Sequence, residues 1–337
     1  MTRVLYIGGT GEISHACVEE SLRMGHTVTV FNRGATAGSL PMDVEHLQGD
    51  LRATDPYQAL GNRTWDVVCQ FLAYEPDAVQ RDLDTFSDHC AQYIFISSAS
   101  AYEKPCRDYV ISELTPLKNP FWAYSRAKAA CEQVIDGFQT TITSPSRCAC
   151  TIVRPSHTYR TRLPGAVTDG DHQAWRIMNG KPVIVHGDGQ SLWTLTHAED
   201  FAQAFVSLHL NPAAFDQCFH ITASKADTWD VILAGVGEAL QTDPTLCHVS
   251  TETLVKYQPA WVGPLLGDKA NSVLFDNSKV QEVIGGWACS ISLGEGLKAA
   301  AVYVEQRLKA GYSPDAEKDA LLDRIISDQR QLGTIEH

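Results

Sequence analysis

The segment Val4-Leu5-Tyr6-Ile7-Gly8-Gly9-Thr10-Gly11-Glu12-Ile13-Ser14 constrains this chain more than any other. Four apolar residues in a row read as a strand buried on both faces. A glycine-rich turn follows at once, and residues 14–24 continue with helical spacing. Cys17, Val18 and Leu22 share one face of that helix, and Gly25 closes it. A strand that turns directly into a helix leaves the first-turn N–H groups unpaired at the turn. Glycine lets the backbone approach a bound group, and the helix dipole adds positive charge there. Gly8, Thr10, Gly11, Glu12 and Ile13 are therefore expected to cradle the pyrophosphate of a dinucleotide. The third glycine of the usual pattern is Ser14 here, still small enough for close helix–strand packing.

The rest of the first 150 residues repeats the alternation. Strands are expected at Val28–Phe31, Val44–Leu47, Val67–Leu72, Tyr93–Ser97 and Cys150–Val153, with helical patterns between most of them. Such alternation gives an α/β fold, a parallel sheet covered on both faces, with ligands at the carboxyl ends of the strands. Beyond residue 155 Pro, Gly and Thr become frequent and the elements shorten. Strands are expected at Val183–Val185 and Phe219–Thr222, and helices at Ala198–Leu208, Leu293–Leu308 and Ala316–Arg330. The plan is a dinucleotide-binding domain over residues 1–155. A smaller C-terminal α/β substrate-binding part over 156–337 follows, with some segments returning to the sheet. A chain of 337 residues with 44% hydrophobic content suits that plan and excludes a disordered polymer.

Lys+Arg 27 against Asp+Glu 40 leave a formal net charge of −13. A nucleic-acid binder ordinarily carries a basic face, so nucleic acid is not an expected partner. No apolar run reaches the roughly 18 residues of a membrane helix, so no membrane span is expected. The short N-terminal apolar run enters the glycine turn without a small-residue cleavage site, so no secretory leader is expected either. The 10 cysteines form no CxxC pair and no zinc-type spacing with histidine. They read as reduced, mostly buried thiols of a cytoplasmic protein that holds no metal.

The ends of the next strands complete the dinucleotide site. A carboxylate ending the second strand would bind both ribose hydroxyls of NAD and repel a 2′-phosphate. Asn32 stands there and Arg33 follows, which tilts the cofactor toward NADP over NAD. Arg33 either pairs with the phosphate or stacks on the adenine. Asp50 and Leu51 close the third strand beside the adenine, and Phe71, Leu72 and Ala73 close the fourth alongside the cofactor.

Tyr124 and Lys128 lie four apart in a helical pattern that begins near Phe121, and so share a face. The fifth strand exits into Ser97-Ser98-Ala99-Ser100-Ala101-Tyr102. Taking hydride from a carbinol requires removing its hydroxyl proton. A tyrosine does this when an ammonium favours its phenolate, and a serine hydroxyl can hold the substrate oxygen. These residue types in this order point to alcohol–ketone chemistry.

With Gly49-Asp50-Leu51, Arg154-Pro155 and Gly187-Asp188-Gly189, the chain resembles the extended short-chain dehydrogenase/reductase family, in its NAD-dependent epimerase/dehydratase group. The resemblance covers the first 200 residues and implies a Rossmann-like doubly wound sheet. It implies Ser98 as the catalytic serine, Tyr124 as the acid/base, and Lys128 as the residue that binds the nicotinamide ribose and tunes Tyr124. It places Ser97, Pro155 and His157 near the nicotinamide, and Tyr74, Ser98, Ser100 and His157 toward the substrate. His157 would either bond a substrate hydroxyl or serve the fold through a carbonyl.

Two departures narrow the chemistry. Family dehydratases carry an Asp-Glu pair after the catalytic residue, and Ala99-Ser100 stand here, so elimination is not expected. Sugar-nucleotide members often carry an Arg after the Gly-Asp-Gly turn. Trp193 occupies that place, as a stacking face or a loop plug, and Lys269 is the candidate substitute cation. The implied activity is NAD(P)-dependent hydride transfer at a secondary alcohol of a sugar-like small molecule. The chain would act as an epimerase, or as a dehydrogenase/reductase that releases a ketone. The runs Ser97–Tyr102, Trp193–His197 and Gly267–Lys269 also resemble a less typical branch that includes the chloroplast stem-loop-binding proteins. That branch keeps a nucleic-acid-binding or scaffold role as the alternative, and a homodimer is compatible with either.

Overall fold

The structure is a computed structural model that describes residues 1–35, 39–141 and 147–333. Its centre is a seven-stranded sheet. The strands are β1 (Arg3–Ile7), β2 (Thr27–Asn32), β3 (Glu45–Gln48), β4 (Trp65–Gln70), β5 (Cys90–Ile96), β6 (Ala149–Pro155) and β7 (Gln217–Ile221). They run in the order β7-β6-β5-β4-β1-β2-β3, and every pairing is parallel. This is the expected doubly wound sheet. Five helices matter to the site: α1 (Glu12–Arg23), α2 (Pro76–Phe86), α3 (Ala123–Thr141), α4 (Gly170–Met178) and α5 (Ala198–Ser207).

The period-two alternation of β1 explains the layering. Val4 and Tyr6 face one core with Cys17 and Val18 of α1 and Phe201 and Phe205 of α5. Leu5 and Ile7 face the other with Val79 and Leu83 of α2 and Cys131 and Ile135 of α3. Val4, Leu5, Tyr6 and Ile7 are all fully buried, and burying a large apolar side chain contributes roughly 1.5–3 kcal/mol. The polar end of Tyr6 is satisfied inside: its hydroxyl donates to the Cys17 carbonyl at 3.0 Å and lies 2.7 Å from the Ser21 hydroxyl.

Residues beyond β6 build a second core and return once to the sheet as β7. Short parallel pairs join His157–Tyr159 to Leu195–His197 and Val183–His186 to Leu246–Val249. The helices Trp229–Ala239 and Leu293–Lys309 close this core, and Ala316–Gly333 lies outside it. Most strand boundaries shift by a few residues, and two differences bear on the site. Gly11 takes the N-cap place with extended backbone, so α1 starts at Glu12 rather than Ser14. The fourth strand stops at Gln70, where the chain leaves the sheet and Phe71–Ala73 turn toward the groove described next. The registers Ile7 with Gln70 and Ile96 with Val153 align the carboxyl ends where the site forms.

Candidate active site

The glycine turn takes a shape that only small residues permit. Gly8 and Gly9 have φ of 120° and 98°, and a Cβ on Gly9 would sit 2.8 Å from the Val30 side chain. Ser14 adds something glycine could not: its hydroxyl accepts the N–H of Gly9 at 3.2 Å and of Gly11 at 3.0 Å. The turn opens into a groove of about 920 Å³. Gly8, Thr10, Gly11, Glu12 and Ile13 line it, together with Asn32, Arg33, Asp50, Leu51, Phe71, Leu72, Ala73 and Tyr74. Ser97, Pro155, Tyr124, Lys128 and His157 are not in its wall.

At one end of the groove Asn32 is committed to the fold. Its Oδ1 accepts the Gly34 N–H at 2.7 Å and lies 2.9 Å from His46 Nε2. Arg33 is exposed, and its side chain makes no ion pair among the described residues. Arg52, which the motif reading passed over although it directly follows Asp50-Leu51, lines the same end. An extended groove, a glycine turn at a helix N-terminus and two guanidiniums at the far end fit a dinucleotide well.

Glu12 does not behave as a cofactor ligand through its carboxylate. Oε2 accepts the N–H groups of Arg160, Thr161 and Arg162 at 3.1, 2.8 and 3.2 Å, and Oε1 accepts the Thr161 hydroxyl. Arg160 clasps α1 in return, with Nη1 2.6 Å from His15 Nδ1 and Nη2 2.5 Å from Glu19. The glycine turn and the loop after His157–Tyr159 are thereby fastened together.

Ser98, Tyr124 and Lys128 come together at the carboxyl end of β5. Ser98 accepts the Ser100 N–H at 3.2 Å, and its hydroxyl lies 2.9 Å from that of Ser100, to which Ser125 donates at 2.8 Å. The Ser100 hydroxyl is thus part of a serine chain behind Ser98. Ser97 points elsewhere, donating to Glu132 at 2.5 Å. Tyr124 packs between the rings of Trp122 and Tyr74, at 5.0 and 6.3 Å. Burial pushes its phenol above the ordinary value, and a hydrogen bond with Ser98 opposes that shift.

The expectation that Lys128 depresses the phenol is not met in this arrangement. The ammonium donates to the Ala73 and Ile96 carbonyls, each at 2.7 Å, and stands 6.0 Å from the centre of the Tyr124 ring. Burial brings its own pKa down to about 8. The rings of Tyr74 and Phe95, 4.7 and 4.8 Å away, help hold the charge.

The remaining expected substrate residues divide. Trp193 is 2% exposed, stacks on Trp229 at 5.6 Å and donates its indole N–H to His157 Nδ1 at 3.0 Å. It is a plug that orients His157 rather than an open stacking face. Lys269 donates to the Gly165 carbonyl at 2.5 Å, and burial lowers its pKa to about 8. Asp268 is a residue the motif reading missed. It lies in the wide helical turn Val262–Lys269, which packs closely because Gly263 lies against the Trp122 ring, where a Cβ would be 2.3 Å away. Asn119 ties this turn to the serine loop, its Nδ2 donating to the Ser100 and Gly267 carbonyls at 2.8 and 2.7 Å. Burial raises the Asp268 carboxyl to about 6, against the pull of Lys104 and Lys269. Among the described residues no cluster of three or more His, Cys, Asp or Glu could hold a metal, and no helix is long and apolar enough to cross a membrane.

The chain matches known proteins in family and in fold. The model of the NAD dependent epimerase/dehydratase family matches residues 4–221. The chloroplast stem-loop binding protein of 41 kDa b from Arabidopsis thaliana is 26% identical over 259 residues, 70% of this chain and 63% of that protein. The 2'-dehydrokanamycin reductase of Streptomyces kanamyceticus is 26% identical over 253 residues, 71% of this chain and 66% of that protein. The chain therefore spans just under two thirds of either relative. Among solved structures, UDP-glucuronic acid 4-epimerase from Bacillus cereus in complex with NAD superposes with a TM-score of 0.72 at 17% identity. That match covers 90% of this chain and 99% of the other, and it shows likeness of fold.

Proposed function

The chain belongs to the NAD-dependent epimerase/dehydratase family, and from that premise we propose that it is an NAD(P)-dependent enzyme acting on a secondary alcohol of a sugar-like molecule. The convergence of Ser98, Tyr124 and Lys128 at the carboxyl end of β5 carries this reading. A nicotinamide dinucleotide, when bound, accepts or returns the hydride. The chain's own residues do the rest. Ser98 holds the substrate oxygen and the Tyr124 hydroxyl together. Tyr124 takes the carbinol proton in oxidation and gives it back in reduction. Lys128, held by two carbonyls beside both tyrosine rings, supplies the fixed positive charge under the site. Residues 1–155 hold the cofactor, and 156–337 chiefly shape the substrate side.

We favour an epimerase, in which the ketone turns over and hydride returns to its other face. The likeness to a reductase supports the second reading, release of a ketone or its reduction to an alcohol. Arg33 and Arg52, exposed at the ribose end of the groove, support NADP over NAD. The likeness to a stem-loop binding protein supports a nucleic-acid role, against which stand the net charge of −13 and the assembled Ser98–Tyr124–Lys128 set. Denaturing the purified protein and identifying released nucleotide by mass spectrometry, then titrating both nucleotides into protein stripped of it, separates these readings. Copurified nucleotide that exchanges slowly supports the epimerase, and free exchange supports the reductase. No affinity for either nucleotide would overturn the proposal.

A further inference from the structure

We propose that the cavity bounded by His157, Arg162 and Lys269 is a phosphomonoester subsite, so that the substrate is a sugar carrying a single phosphate group. This rests on the oxidoreductase reading above and names the substrate class for that same site. The cavity measures about 220 Å³ and shares Glu12 and Thr158 with the dinucleotide groove, so the two spaces adjoin.

Three donors line it, and none of them is in an ion pair among the described residues. Trp193 donates to His157 Nδ1 at 3.0 Å, so a neutral imidazole carries its proton on Nε2. Burial and the charge of Lys269 keep that ring neutral, with a pKa of about 3. Nε2 has no hydrogen-bond partner among the described residues, and the His157 side chain lines the cavity. Lys269 uses one ammonium proton on the Gly165 carbonyl and keeps two others. Arg162 is exposed, its backbone N–H is fixed by Glu12 at 3.2 Å, and its guanidinium makes no ion pair among the described residues.

The two carboxylates in the wall are already matched. Glu12 accepts from the loop 160–162, and Asp169 accepts the His172 N–H at 3.0 Å and pairs with Lys318 at 3.2 Å. Asp268 adjoins Lys269 in the chain and the two act on each other through charge, but they form no ion pair among the described residues. Two cations and a neutral N–H suit a phosphomonoester dianion. The space is smaller than the roughly 300–1,000 Å³ of sites that take a whole drug-sized ligand, and Trp193, buried against His157, offers no open face on which a larger group could stack.

The test uses the full-length protein loaded with nicotinamide nucleotide. Calorimetry compares inorganic phosphate, hexose 1-phosphates and 6-phosphates, the matching free hexoses and UDP-sugars. At least one hexose phosphate should bind tenfold or more tightly than its free hexose, with inorganic phosphate competing. Arg162→Ala and Lys269→Met should each erase most of that preference while leaving nucleotide affinity and melting temperature in place. Arg162→Ala, on an exposed side chain, keeps the test sound if the other variant does not fold. Equal binding of free and phosphorylated sugars, tighter binding of UDP-sugars, or a preference that survives both variants would overturn the subsite while leaving the oxidoreductase reading intact. Failure of nicotinamide nucleotides to bind at all would instead overturn that reading, and the subsite with it.

Discussion

Replacing Glu132 by Gln should cost this protein much of its stability, and the reason lies directly under the Ser97-Ser98 turn. Glu132 and Arg154 are 2% and 5% exposed. Arg154 Nε lies 3.0 and 3.2 Å from the two carboxylate oxygens, and Nη2 lies 2.5 Å from Oε2. Ser97 donates to the same carboxylate at 2.5 Å, and Tyr102 lies 3.1 Å from Nη1. Glu132→Gln preserves the shape but leaves a guanidinium buried without its counter-charge. Breaking a buried pair from one side typically costs about 3–5 kcal/mol, against a total stability of roughly 5–15 kcal/mol for a domain. Glu132 also sits one turn beyond Lys128 on α3, so affinity for the nicotinamide cofactor should fall with stability. Urea unfolding followed by tryptophan fluorescence and circular dichroism measures the loss. Glu132→Gln with Arg154→Met, which removes both charges, should recover much of it. A loss below about 1 kcal/mol in the single variant, or no recovery in the double, would refute the reasoning.

Two further outcomes follow from the geometry. Arg33→Ala should weaken NADP by about 1.5–3 kcal/mol, a charge-assisted bond's worth, and leave NAD nearly unchanged; equal losses for both would mean that Arg33 serves the adenine instead. Burial works against the Asp319 carboxylate, but hydrogen bonds with His172, Lys181 and Arg176 hold its pKa down at about 2. A depressed folded pKa stabilises at pH above the ordinary value near 4 and loses that contribution as pH falls toward about 2. Melting temperature should therefore drop across that acid window in the wild type and less steeply in Asp319→Asn; parallel curves would contradict the assignment.

What could be read from sequence was local. The strand–glycine–helix segment at Val4–Ser14 and the one-turn spacing of Tyr124 and Lys128 each lie within a single stretch of chain, where periodicity and turn chemistry speak directly. The alternation of elements then gave the parallel sheet. Contacts between distant segments stayed hidden. Glu12 looked like part of the pyrophosphate cradle, and nothing near it in the chain announces that residues 160–162 claim its carboxylate. Trp193 stayed undecided between a stacking face and a loop plug, because neither Trp229 nor His157, which make it a plug, is near it in sequence. Asp268 acts on the Tyr124 phenol through charge from a wide helical turn that packs on Trp122 at Gly263, a contact no local spacing announces. The tuning of Tyr124 also escaped residue spacing, since it depends on where the Lys128 ammonium finds its acceptors.

In the proposed function, Tyr124 moves the proton that accompanies hydride transfer. The most direct measurement is single-turnover absorbance of the reduced nicotinamide in wild type and Tyr124→Phe, with the substrate identified by the binding screen. Removing one oxygen from a half-buried ring should leave folding and nucleotide affinity unchanged and slow the hydride step by roughly 10²–10⁴, the usual contribution of a positioned acid/base. A Tyr124→Phe protein that transfers hydride at close to the wild-type rate would contradict the account.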